Sequence, residues 1–245
     1  MFTTNHFIWL AICAVIITAY LLANKFLKMS FKTNLTILFI VCVVSEIVKI
    51  AANIESQPYK TDQLAFYLDV GDLPFHLCSI QIFFVIALMF FVKKDSTKDK
   101  LLCFMFPTML LGGLIALFIP TVGVKFTRPQ VYQFFIFHAF IVAFALYLII
   151  NKIIKLDFKA LFRNFGILSL LVFFAICMNS MLRNHDVNFF YLSRPPMDNL
   201  PLLNLDNGWF AYFLTLLVVA VSALTLLQLP FILINKKRDK IDGKA

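Results

Sequence analysis

Seven apolar runs, each about as long as a bilayer crossing, divide this chain, with polar loops between them. They cover residues 7–23, 35–53, 73–92, 101–120, 131–150, 165–182 and 209–234. A helix needs about 20 mostly apolar residues to cross the hydrocarbon core. Without water to bond, the backbone of such a run must close its own hydrogen bonds as a helix. The pattern predicts an all-α, polytopic integral membrane bundle of seven transmembrane helices, forming one transmembrane domain over residues 1–245. Composition agrees, because 61% of the residues are hydrophobic and only 14% are charged. A soluble domain sits near roughly 45–50% and about 25%. The first run lacks a basic leader and a small-residue cleavage site, so it reads as a span and not as a signal peptide.

Charge assigns sides. Loop 24–34 carries Lys25, Lys28 and Lys32; loop 93–100 carries Lys93, Lys94, Lys98 and Lys100. Loop 151–164 carries Lys152, Lys155, Lys159 and Arg163, and the tail carries Lys236, Lys237, Arg238, Lys240 and Lys244. The alternate loops hold only Lys60, Lys125, Arg128, Arg183 and Arg194. Cytoplasmic loops are the basic ones. The expected topology therefore has the N-terminus outside and the C-terminus inside, in the cell membrane. The net charge of +9 then faces anionic lipid and not nucleic acid. All five cysteines lie in or beside apolar runs, so no disulfide framework is expected.

Ionisable groups inside a membrane are costly and mark functional sites by default. Glu46, Lys49 and Asn53 share one face of the second run, since residues three and seven apart align. His76, Cys78 and Gln81 fall in the outer half of the third run. His138 lies on the order of 10 Å below the outer surface at about 1.5 Å per residue. Asn179 and Arg183 end the sixth. The inner half reads as nearly all apolar. Outer loop 183–208, with Arg194-Pro195-Pro196, Pro201 and Asn207-Gly208, is turn-rich, and its Phe189, Phe190 and Tyr191 suggest a place at the interface.

Asp72-Leu73-Pro74 reads as a helix start, with Asp72 as N-cap and Pro74 in the first turn. Cys78 would then lie one turn inside, where free N–H groups favour thiolate. His76 stands two residues away, on nearly the opposite helix face. His138, from another helix, is the better base for Cys78, leaving His76 to bind substrate or an oxyanion, oriented by Asp72. Each has a plainer alternative. Cys78 packs as a small apolar residue, His138 donates a structural interhelical bond, and Glu46–Lys49 is a bracing ion pair or a headgroup contact. Gly112-Gly113 reads as a close-packing point.

Together these residues resemble the transmembrane protein 164 family and its bacterial YwaF-like relatives. The likeness rests on Leu73-Pro74-Phe75-His76-Leu77-Cys78, on Phe137-His138, on Asn188-Phe189-Phe190-Tyr191-Leu192-Ser193-Arg194-Pro195, and on Asn207-Gly208-Trp209-Phe210-Ala211-Tyr212. It spans roughly residues 40–215. The last two motifs depart from the family pattern: one Tyr is Phe, and both prolines of the final run are missing. The resemblance implies a membrane acyltransferase that moves a fatty acyl chain between glycerophospholipids through a cysteine thioester, with Cys78 matching the cysteine and His76 and His138 the paired histidines.

The reading is thus an outer-leaflet lipid acyltransferase with catalytic Cys78, His138 and His76. Glu46, Lys49, Asn179, Arg183, Tyr191 and Arg194 are expected to bind substrate, with His76 or Asn179 steadying the oxyanion and Arg194 or Lys49 touching a phosphate. A membrane phospholipid or other acylated lipid serves as donor and acceptor, with no cofactor and no metal. The alternatives are a lipid hydrolase at the same site and a non-enzymatic small transporter or receptor.

Overall fold

The computed structural model describes residues 2–56, 70–185, 187–197, 200 and 202–241. The side chains of Asn53 and Asp72, and all of Lys60 and Pro201, lie outside it. Among the described residues the regular structure is entirely helical. Helices α1 (Thr4–Leu27), α2 (Phe31–Ser56), α4 (Asp95–Phe118), α5 (Pro129–Ile150), α6 (Phe158–Met181) and α7 (Trp209–Ile241) are each long and apolar enough to cross a membrane. The short α3 (Gln81–Ile86) runs directly into a π-helical stretch, Ala87–Phe91. The chain is built as a multi-pass helical membrane bundle.

The third run is therefore not the single helix that hydropathy suggests. Between Val70 and Ile80 the chain makes a 3-10 turn (Val70–Asp72) and then irregular turns. Pro74 supplies no N–H and biases Leu73 away from helical angles. Phe75 N–H instead bonds Leu73 C=O at 2.7 Å, and Ile80 N–H bonds His76 C=O at 2.8 Å. Irregular backbone at membrane depth survives only where protein covers it. Here residues 73–79 are half-buried and Ile80 is buried.

Helices α4 and α5 form the centre. α5 packs against α1, α2 and α4, while α4 also touches α6 and α7. α4 is buried continuously from Leu102 to Leu110, so it lacks the single apolar stripe of a peripheral helix. Trp9 of α1 lies sandwiched between the rings of Phe126 and Phe135 at 4.7 and 4.8 Å.

Interhelical polar contacts correct the expectation of an apolar inner half. Pro107 in α4 has no N–H for the Cys103 carbonyl four residues earlier. Asn164 of α6 fills that gap, donating to Cys103 O at 2.9 Å and to Gln228 Oε1 of α7 at 2.8 Å. Near the same end, Tyr20 donates to Asn34 at 2.6 Å. Buried amides of this kind tie membrane helices together.

Candidate functional site

Cys78 sits in the turn before α3, three residues ahead of its first residue, Gln81. It is not in a helix's first turn, because Pro74 and the bonds around it delay the helix. Without a helix there, the two-residue spacing no longer sets Cys78 and His76 on opposite faces. Two contacts with α4 fix the turn. Gln81 Nε2 donates to Leu77 O and to Thr108 Oγ1, both at 3.0 Å. One turn further along α4, Gly112 faces Cys78 so closely that a β-carbon there would lie 3.6 Å from the Cys78 β-carbon and 3.7 Å from its amide nitrogen. The Cys78 Sγ is 3.9 Å from Ser79 Oγ.

His76 shares the turn. Its ring lies 5.1 Å from that of Tyr191 and 5.5 Å from that of Phe189, and its Nδ1 is buried with no hydrogen-bond partner among the described residues. Glu46 and Lys49 of α2 pair at 2.7 Å. The Lys49 ammonium is close enough for its charge to act on both His76 and Cys78. Burial, together with repulsion from Cys78, pushes the Tyr191 phenol up to about 12. His76, Cys78 and Tyr191 thus lie together, with the Lys49 charge within reach, drawn from three separate stretches of chain.

The loop that delivers Tyr191 is held in an unusual shape. Phe190 and Tyr191 both have left-handed backbone angles, φ 58° and 55°. Such a conformation costs an L-residue with a β-carbon about 1–2 kcal/mol. Asn179 of α6 pins the residue before them on both sides: its Oδ1 accepts from Phe189 N at 2.8 Å and its Nδ2 donates to Phe189 O at 3.0 Å. From α7, Tyr212 donates its hydroxyl to Tyr191 O, and Trp209 Nε1 donates to Leu192 O at 3.0 Å. Asn188 accepts from Ser193 N at 3.0 Å and donates to Arg194 O at 2.8 Å. Phe189 is fully buried, so the loop folds into the bundle and does not merely rest at its interface.

His138 lies buried in α5, with its carbonyl oxygen 3.3 Å from where a β-carbon on Gly113 would sit. Its Nδ1 bonds Phe134 O at 2.6 Å. A carbonyl only accepts, so in the neutral ring Nδ1 carries the proton and Nε2 bears the lone pair. That Nε2 is buried and partnerless among the described residues. No hydrogen bond joins it to Cys78. The Gly112-Gly113 step stands between the two elements, one glycine against Cys78 and the next against α5.

Arg183 and Arg194 are exposed, and both ends of the Asn179 amide are engaged by Phe189 instead of facing a substrate oxygen. Sequence reasoning placed Gln81 in this region but missed its partner Thr108, and it gave Trp209 and Tyr212 no role beyond the family likeness. Only the polar Gln81 inside an apolar run, and the aromatic opening of the last span, signalled them. A cavity at the other end of α6, bordered by Lys155, Phe158, Ile232 and Lys236, holds none of the candidate residues.

A model of the TMEM164 family matches residues 1–228. No curated protein matches the chain, and no solved structure does.

Proposed function

The chain belongs to the TMEM164 family, and from that premise we propose that it moves a fatty acyl chain between membrane lipids through a thioester on Cys78, in the outer leaflet. The observation carrying this reading is Cys78 on irregular, protein-covered backbone, in one turn with His76, whose ring packs against Tyr191, and within electrostatic reach of Lys49.

In the first half-reaction His138 Nε2 takes the thiol proton. The sulfur attacks the ester carbonyl, an S–C bond forms and the C–O bond to glycerol breaks. The imidazolium returns its proton to the departing glycerol oxygen. In the second, an acceptor hydroxyl gives its proton to the same nitrogen, attacks the thioester and frees the sulfur, which regains the proton. His76 steadies the oxyanion, with its unpartnered Nδ1 directed by the Tyr191 contact. Lys49 attracts the lipid phosphate. A base need not hold a resting hydrogen bond to its nucleophile, and this reading requires His138 Nε2, whose ring is already protonated on Nδ1 toward Phe134 O, to reach Cys78 only once lipid is bound.

The test is incubation of the purified protein with phospholipid carrying a labelled acyl chain. A hydroxylamine-sensitive adduct on the Cys78 peptide is expected, lost in Cys78→Ser. An adduct that persists in Cys78→Ser removes the nucleophile. Free fatty acid released at the same rate with and without an acceptor lipid makes the site a hydrolase.

A further inference from the structure

Two adjacent aromatic residues in left-handed conformation are unusual, since the β-carbon clashes there and glycine is the normal occupant. Residues so held persist only when their surroundings over-determine them, and they cluster at functional sites. Phe190 and Tyr191 are over-determined from two helices. α6 contributes both ends of the Asn179 amide to Phe189, and α7 contributes the Tyr212 hydroxyl to the Tyr191 carbonyl. All three bonds go to backbone, so they fix the path of the loop and leave the Tyr191 ring against His76 and within the electrostatic reach of Cys78.

We infer that Asn179 and Tyr212 are positioning residues, forming a two-helix clamp that holds the left-handed Phe190–Tyr191 turn as a fixed cover against His76, in the same turn that carries Cys78. Neither touches the reacting sulfur. Asn179 acts through the Phe189 backbone and Tyr212 through the Tyr191 carbonyl, so relative movement of α6 and α7 is transmitted to the cover. This inference rests on the reading of Cys78 and His76 as the site, but its geometry stands apart from the reaction performed there.

The test separates positioning from plain packing by the sign of a second substitution. Asn179→Leu removes both bonds to Phe189 while filling similar space. The rate at which a maleimide attaches to Cys78, read from the mass of its peptide in folded protein, is expected to rise about tenfold, the scale of one or two hydrogen bonds lost. Phe190→Gly on that background removes a half-buried ring, so a packing role predicts further loosening. The clamp predicts the reverse, because glycine takes the left-handed angle without strain and restores the turn, bringing labelling back toward the parent rate. Tyr212→Phe, which deletes one oxygen, carries the same comparison if Asn179→Leu does not fold. Parent-like labelling in the single variants, or faster labelling after Phe190→Gly, overturns the clamp. Absence of an acyl adduct in the parent protein overturns the acyltransferase reading alone, since maleimide attachment judges the clamp without it.

Discussion

A β-carbon on Gly113 would lie 2.5 Å from Val142 Cγ2, while one on Gly112 would meet the β-carbon of Cys78 at an ordinary 3.6 Å. Neighbouring glycines in one helix therefore do different jobs. Gly113 lets α4 and α5 approach to backbone contact, and Gly112 leaves a shallow seat for the turn that carries Cys78.

Gly113→Ala is expected to destabilise the bundle by about 1–3 kcal/mol, since the clash falls on a stiff β-branched side chain in a packed core. Gly112→Ala should fold as well as the parent, because its methyl group meets only normal contacts. Thermal unfolding in one detergent measures both. Equal melting temperatures for the two variants would contradict the packing described for Gly113.

Asn164 and Pro107 should couple. Asn164→Leu leaves the Cys103 carbonyl without its donor, and an unpaired buried group costs about 1–3 kcal/mol. With Pro107→Ala the α4 backbone regains an N–H for that carbonyl. Asn164→Leu should then cost less than it does beside proline. A double-mutant cycle on unfolding reads this directly, and strict additivity would refute the coupling.

Tyr191 sets an alkaline limit. Its phenol is pushed up to about 12 by burial, against about 10 for an ordinary tyrosine. Between those values the unfolded chain has released the proton and the folded chain still holds it. Stability is therefore complete below about pH 10 and falls as pH rises toward 12. Tyr191→Phe should lose less stability over that interval than the parent. An identical slope in the two proteins would show that the phenol is not buried as described.

The histidines should separate kinetically. His138→Gln removes the proposed base and is expected to slow adduct formation on Cys78 roughly 10²-fold or more. His76→Gln keeps a donor near the oxyanion and should slow it less. Single-turnover labelling compares them, and the opposite ranking would transfer the role of base to His76.

Much of this fold was legible because the bilayer demands long apolar helices. Six of the seven runs are helices, extended at one or both ends by residues such as Thr4, Asp95 and Lys159 that hydropathy alone discounts. The third run failed as a helix because hydropathy counts apolar side chains and ignores backbone pairing. Pro74 decides that segment, and its effect depends on α4 being there to cover the exposed amides. The polar cluster was legible as residue types, since His76, Cys78 and Lys49 stand out in apolar surroundings. Its shape was not. The left-handed angles of Phe190 and Tyr191 violate local preference and exist only through Asn179 and Tyr212, which no pattern within the loop announces.

The broken third span also sets a depth. Gly112 stands six residues before the end of α4 at Phe118, which places its neighbour Cys78 about 9 Å below that helix end at about 1.5 Å per residue. If the proposed acyl transfer is right, a sulfur recessed that far would meet a glycerolipid where its fatty chains are joined, beneath the zone in which phosphate and amine groups differ. Lipids that share chains but carry different headgroups should then acylate Cys78 at similar rates, whereas moving the ester bond along the chain should matter far more.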